Sequence, residues 1–359
     1  MQIYFQGSPQ KDMENFFVQV SNLFRQKKRF VVARIVRLIG SAPRSQGTKC
    51  IILEDGTLVG SIGGGLLEYH VTKKAREILQ QARPFIQHFS LTGNDLTKAE
   101  MLCGGDADIY LEPFVPENQG AIVVYKRIVQ VIQEGHTGIL FTLILEDIGP
   151  EDESRWMFLS EEGAQVGEIP VLKGNQPELR AIRKPRLLKS QEGGPLIFAE
   201  PVRPDDVILI FGSGHISSNL AKIAKMGEFK VVVVDDSKEL VNTERFPDAD
   251  EIRVLPFDKA FEHIHITSTS YITVLTRDHI SDLAVLRGAL KQATPAYIGL
   301  IASSRKREVI YKALIDEGYK RENLEKIHSP IGLEIGAETP EEIAVSIIAE
   351  LIKTRAERR

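Results

Sequence analysis

The stretch Val207–Ser218, VILIFGSGHISS, decides the fold of this chain. Four apolar residues rise into Phe211, and then come Gly212, Ser213, Gly214 and His215. An apolar run closed by glycines reads as a strand that turns into a helix. Gly212 permits the tight turn. Gly214 lets a phosphate approach the backbone, and the helix N-terminus favours its negative charge. Ser217 stands where a third glycine is usual, and serine is small enough for close helix–strand packing. Asp235 and Asp236 end the next apolar run, about 20 residues on, where an acidic residue usually holds a ribose hydroxyl. The turn predicts a Rossmann-type unit and leaves the ligand open.

Working outward, the C-terminal half alternates strand-like and helical stretches. VILIF, KVVVVD, EIRVL, YITVLT and AYIGLIA are the apolar runs. That alternation predicts a parallel sheet with helices on both faces. Four strand ends carry polar clusters: Gly212 to His215, Asp235-Asp236, Thr276-Arg277-Asp278-His279, and Ser303-Ser304-Arg305-Lys306. Each alone reads as a solvated loop. Together, at the carboxyl ends of parallel strands, they predict a binding edge, with Arg305 and Lys306 as anion-binding cations and His279 as a hydrogen-bonding imidazole. ETPEEIAVSIIAELIKT closes the chain as a helix with Thr339 at its N-cap, Pro340 next and Glu342 completing a capping box.

The N-terminal half reads as a smaller α+β domain. Residues 11–29 carry helical spacing, then short apolar runs follow, and LLEYHVTKKAREILQQA after Gly65 reads as a second helix. Residues 189–205 are rich in glycine and proline. The expected division is 11–198 and 199–359, giving an α/β chain with a C-terminal Rossmann-like domain. A weak internal echo sets KCIILEDGTLVGSI (49–62) against RWMFLSEEGAQVGEI (155–169), with one extra residue in the second copy. Two hairpins facing a core converge on such patterns as readily as a duplication produces them. If the echo is a duplication, the site belongs to the first copy, because the second lacks the triple glycine.

Residues 1–10, including YFQGS, read as the remnant of an expression tag and are set aside. The composition of the full 359-residue chain is that of a globular protein, 43% hydrophobic and 26% charged, with net charge −4. That balance does not point to nucleic acid. No apolar run approaches the roughly 18 residues of a membrane span. Two cysteines, Cys50 and Cys103, make no disulfide framework and suit a reducing cytoplasm. Gly63, Gly64 and Gly65 precede a helix and predict a nest of amides for an anion. Cys103 precedes two glycines, which would leave a thiolate accessible; an ordinary buried cysteine is the competing reading.

These motifs together resemble the XdhC/CoxI family, accessory factors of xanthine dehydrogenase and related molybdenum hydroxylases. The resemblance rests on GSAPRSQGTK, DGTLVGSIGGGLLE and CGGDADIYLEP in the first half. In the second half it rests on FGSGHIS, VVVVDD, ERFPDADEI, TRDHISDLAVL, YIGLIASSRKR and PIGLEIGAETPEEIAVSI. It implies a chaperone, not a catalyst: a protein that binds molybdenum cofactor, as molybdopterin or its dinucleotide form, protects it during sulfuration, and delivers it to a hydroxylase. A cysteine desulfurase and a homodimeric state belong to that implication. On it, Gly212, Gly214, His215, Asp235 and Asp236 line the cofactor cleft, faced by the triple glycine and Cys103, the latter as a soft ligand near molybdenum. The chain departs from the family pattern at Leu66, where many members have cysteine, at Ser237, where many have arginine, and at Ala302 and Ser304. The competing readings are an NAD(P)-dependent oxidoreductase and a nucleotide-sensing regulator.

Overall fold

The computed structural model describes residues 15–40, 44–90, 105–146, 154–172, 176–189, 194–292 and 295–358. The chain divides into two compact units, Met1–Arg203 and Pro204–Arg359. The boundary expected at 198/199 falls inside a strand that pairs on both sides, so the division lies just beyond it. The N-terminal unit, expected to be the smaller, is the longer, because it holds two sheets.

The elements of the N-terminal unit are, in order, α1 (Phe16–Arg25), β1 (Phe30–Ile39), β2 (Lys49–Leu53), β3 (Leu58–Gly60), α2 (Gly65–Gln81), β4 (Phe85–Ser90), β5 (Asp106–Phe114), α3 (Gln119–Gln133), β6 (Gly138–Ile144), β7 (Trp156–Ser160), β8 (Gln165–Gly167), α4 (Gln176–Arg180), β9 (Arg186–Lys189) and β10 (Leu196–Val202). The strands form two antiparallel five-stranded sheets, ordered β3-β2-β1-β5-β4 and β8-β7-β6-β10-β9. Strand alternation sends Val31, Ala33 and Ile35 to pack with Leu67, Val71, Ala75 and Ile78 of α2. It sends Phe30 and Val32 to the opposite face, where they join Leu140, Trp156 and Phe158 of the second sheet together with α1 and α3.

The C-terminal unit continues with β11 (Val207–Phe211), α5 (His215–Met226), β12 (Lys230–Asp235), β13 (Glu251–Val254), α6 (Ala260–His263), β14 (Ser270–Val274), α7 (His279–Ala289), β15 (Tyr297–Leu300), α8 (Ser304–Asp316), α9 (Arg321–Leu324) and α10 (Pro340–Arg358). Its sheet is wholly parallel, in the order β13-β12-β11-β14-β15. Ile208, Ile210, Val231 and Val233 pack with α5 and α10. Leu209, Phe211, Val232 and Val234 pack with α7 and α8 on the other face. Both faces are therefore covered, as the unbroken apolar runs require. The capping box of α10 forms as expected: Glu342 N–H donates to Thr339 Oγ1 at 3.2 Å, and Thr339 N–H donates to Glu342 Oε2 at 3.0 Å. Among the described residues no helix is long and apolar enough to cross a membrane.

The motif PIGLEIGAET, which forms neither helix nor strand, is held by α10. Ser346 Oγ donates to Leu333 O at 2.6 Å, and Gly332 N–H donates to Glu350 Oε2 at 2.8 Å. A side chain at Gly332 would meet Ser346 Oγ at 2.3 Å, so the backbone lies directly on the helix. Glu350 also accepts from Tyr297 OH and pairs with His328 Nδ1 at 2.8 Å. Burial alone would raise the Glu350 carboxyl; the hydrogen bonds of His328, Tyr297 and Gly332 outweigh it and hold the carboxyl below the ordinary glutamate range. A carboxyl depressed by folding adds stability above its unfolded pKa and loses it as pH falls through the folded value. Glu350→Gln should lose about 2 kcal/mol at pH 7. It should also lose less than the parent as pH drops below the usual glutamate value of 4.5. Parallel stability–pH curves for the two proteins would refute this role.

Candidate functional site

Because the five strands of the C-terminal unit run parallel, their carboxyl ends share one edge. The four polar clusters stand there, after β11, β12, β14 and β15. The strand order reverses direction at β11, which pairs with β12 on one side and β14 on the other. Such a switch point opens a crevice between two departing loops.

The glycine turn is built by two different demands. Gly212 has φ +107°, and a Cβ there would lie 2.3 Å from Leu275 O and 3.0 Å from Thr276 Cα. Its backbone is pressed against the end of β14. Gly214, the N-cap of α5, has φ −73°, which any residue adopts, and a Cβ there would meet nothing within 4 Å. Gly214 leaves open space in front of the helix N-terminus. Ser217 is fully buried in the first turn of α5 and fills the close-packing position. His215 and His279 are exposed and begin α5 and α7.

The acidic groups of this edge are engaged within the chain. Asp235 is buried; its Oδ2 accepts from Ser213 Oγ at 2.7 Å and its Oδ1 from Ser237 N–H at 3.0 Å. Arg277 Nη2 donates to both oxygens of Asp236 at 2.7 Å, and Arg277 Nη1 lies 3.5 Å from Asp235. The hydrogen bond to Asp236 foremost holds the guanidinium proton more tightly than usual. Asp278 caps α7 through Ile280 and Ser281 N–H at 2.9 and 2.8 Å, and the bond from Ser281 foremost keeps its carboxyl low. Asp282 is fully buried; it accepts from Thr276 Oγ1 at 2.6 Å and pairs with Lys306 Nζ at 2.5 Å. Burial pushes the Asp282 carboxyl up despite that lysine. Lys306, expected to meet a ligand, is thus tied to a buried carboxylate, whereas Arg305 stays exposed on the first turn of α8. Sequence reading named Arg277 only as a member of its strand-end cluster, without a role of its own, and passed over Asp282. An aspartate on the buried face of a helix, four residues after a capping aspartate, was the available signal for Asp282.

Gly63, Gly64 and Gly65 belong to the N-terminal unit. Their nest already holds an internal anion: Glu68 Oε1 accepts from Ser61 Oγ at 2.8 Å, Ile62 N–H at 3.2 Å and Gly64 N–H at 3.0 Å. The first turn of α2 brings this carboxylate back over the loop, a role spacing alone did not reveal. Cβ atoms at Gly64 and Gly65 would meet nothing within 4 Å, so the outer side of the loop is open. Cys103 lies outside the described residues. Cys50 is buried in β2, as its apolar neighbours predict, and burial raises its thiol. Among the described residues no three His, Cys, Asp or Glu side chains are disposed to hold a metal ion.

Comparison with known proteins gives a consistent set. A family model described as the XdhC Rossmann domain matches residues 208–351, and one described as the XdhC and CoxI family matches residues 23–90. The uncharacterized protein YqeB of Escherichia coli K12 is 24% identical over 342 residues, covering 95% of this chain and 46% of that protein, so the chain spans about half of its length. A probable xanthine dehydrogenase subunit of Bacillus subtilis 168 is 25% identical, covering 96% of this chain and 98% of that one. The molybdenum cofactor insertion chaperone PaoD of E. coli K12 is 20% identical, covering 90% and 83%. A crystal structure described as a xanthine dehydrogenase from Bacillus halodurans superposes with a TM-score of 0.74 at 26% identity, covering 96% of each chain.

The two glycines of the turn should respond differently to one methyl group. Gly212→Ala combines a left-handed backbone with a clash on Leu275 O and should cost about 3 kcal/mol. Gly214→Ala should cost less than about 1 kcal/mol. Denaturant titration measures both, and equal losses would contradict the geometry.

Proposed function

The chain belongs to the XdhC and CoxI family, and from that premise we propose that it is a carrier of molybdenum cofactor that delivers its cargo to a xanthine dehydrogenase-type hydroxylase. The observation that carries the reading is the edge of the parallel sheet. There an open space over Gly214 adjoins the N-terminus of α5, and exposed His215, His279 and Arg305 stand around carboxylates paired within the chain. Molybdopterin carries a phosphate and a pterin edge with adjacent N–H donors. Helix N-termini and Arg305 suit the phosphate. Asp236, held by Arg277 and partly exposed, has lone pairs left to accept from a pterin. When bound, the cofactor would supply the redox chemistry; this chain's own residues bind, orient and release it. The paired charges hold a rim in place ahead of binding, which lowers the cost of ordering it. Among the relatives, the name of PaoD as an insertion chaperone favours the same role.

The finer parts of this reading are protection of the cofactor during sulfuration, a cysteine desulfurase as sulfur donor, a cytoplasmic homodimer, and Cys103 as a thiol near the metal. A second reading, an NAD(P)-dependent oxidoreductase, draws on the strand order and on an aspartate at the end of β12. The burial of Asp235 and the use of both its oxygens by Ser213 and Ser237 count against it.

The test is anaerobic incubation with molybdopterin, with NAD in a parallel arm, followed by gel filtration. Pterin fluorescence is the readout, since the single tryptophan, Trp156, is buried in the N-terminal core. Retained pterin without NAD is the expected result. Gly214→Ala, Asp236→Asn and Arg305→Glu should each weaken retention about tenfold, the loss of one charged or close contact, with melting temperatures little changed. NAD retained in place of pterin would overturn the carrier reading.

A further inference from the structure

The two sheets of the N-terminal unit share more than a strand order. Each is preceded by a helix, has a helix between its third and fourth strands, and places the elements in the same sequence, helix, three strands, helix, two strands. Residue-level matches follow. The exits of α1 and α3 make the same three hydrogen bonds: Gln26 N–H to Asn22 O, Lys27 N–H to Phe24 O and Lys28 N–H to Leu23 O, against Glu134 to Gln130, Gly135 to Ile132 and His136 to Val131. Lys27 and Gly135 both have positive φ. The hairpins match with a constant spacing of 107 positions, set by the pairs Cys50–Gly60 and Met157–Gly167. The extra residue expected in the second hairpin is not there; Leu53 falls on Ser160, and each accepts from the glycine of its turn, Gly56 or Gly163. A Cβ on Gly56 would meet Arg76 Nη2 of α2 at 2.6 Å, and one on Gly163 would meet Arg180 Nη2 of α4 at 2.5 Å. Strand pairing then makes Tyr110-Leu111-Glu112-Pro113 equivalent to Phe198-Ala199-Glu200-Pro201.

The equivalent residues also meet one another. Val36, Tyr110 and Ile86 of the first half cluster with Ile144, Phe198 and Leu187, their counterparts in the second. Arg34 and Thr142 occupy the same place in β1 and β6, and Arg34 Nη1 donates to Thr142 Oγ1 at 3.2 Å. Arg34, fully buried, reaches Glu200 Oε1 at 3.2 Å and Glu112 Oε2 at 3.9 Å. Lys49 donates to Glu200, and Trp156, its counterpart in β7, donates Nε1–H to Glu112 Oε1 at 2.8 Å. A contact between a residue and its own counterpart occurs on a twofold axis.

We infer that the N-terminal unit is a fused homodimer, two copies of one seven-element module meeting across a pseudo-twofold seam, in which a single arginine serves two equivalent carboxylates. An exact dimer would place two arginines on the axis; Arg34 opposite Thr142 keeps one and removes the repulsion. The copies have diverged elsewhere. Gly63-Gly64-Gly65 of the first corresponds to Pro170-Val171-Leu172 of the second, and the 17-residue α2 to the five-residue α4. Among the described residues the triple-glycine loop therefore stands in the first copy and not in the second.

Pseudo-symmetry predicts that the arginine can be moved across the axis in the full chain. Arg34→Thr leaves both glutamates without their shared cation and should lower the melting temperature by roughly 10 °C. Thr142→Arg alone crowds a second guanidinium onto the first and should also lower it. The double variant Arg34→Thr/Thr142→Arg restores one arginine between the same carboxylates and should regain at least half of the loss caused by Arg34→Thr. If Arg34→Thr fails to fold, recovery of folded, monodisperse protein in the double variant is the readout. A double variant no better than Arg34→Thr, or an Arg34→Thr protein as stable as the parent, would overturn the inference.

Discussion

Parallel pairing of β11 with β12 and β14 is the constraint on which the candidate site depends. It aligns Val207 with Lys230 on one side and with Ser270 on the other, so the three strands end together. Loops leaving a common edge bring together residues more than 90 positions apart in sequence, from Gly212 to Arg305. The alignment also presses the end of β14 against Gly212, which explains why that glycine is needed whether or not a ligand is present. Gly214, two residues on, has no such neighbour, so packing within the fold does not require a glycine there.

Burial decides how charge is arranged in both units. A carboxylate removed from water needs a partner, because an unpaired charge costs far more than the pair gains. At the sheet edge buried Asp235 finds Ser213 and Ser237, and buried Asp282 finds Thr276 and Lys306, whereas Asp236, which Arg277 holds, stays exposed. In the N-terminal unit Glu112 and Glu200 share Arg34 and take further bonds from Trp156 and Lys49. The first set leaves the exposed cations Arg277 and Arg305 at its margin. The second is closed in the interior, where it fixes which sheet meets which.

The glycine loop of the N-terminal unit shows the same logic on a smaller scale. Two backbone amides and a hydroxyl converge on Glu68 Oε1, so the loop keeps its shape with a carboxylate supplied by its own helix. An incoming anion would approach the outer side of Gly64 and Gly65, where space is open.

By itself the sequence determined the Rossmann-like half of the protein, its five parallel strands, the capping box of α10 and the edge at which the polar clusters stand. These follow from local patterns: apolar runs of strand length, glycines at turns, and a cap three residues ahead of its glutamate. The tertiary structure alone decided which of those polar groups stay exposed. Asp236 differs from Asp235, and Arg305 from Lys306, only in which partner the fold brings within reach, and such partners lie tens of residues away. It likewise decided between duplication and convergence for the echo of residues 49–62 in 155–169. Outside those hairpins the matching positions are mostly different amino acids, Arg34 for Thr142 and Lys49 for Trp156, and backbone register aligns them.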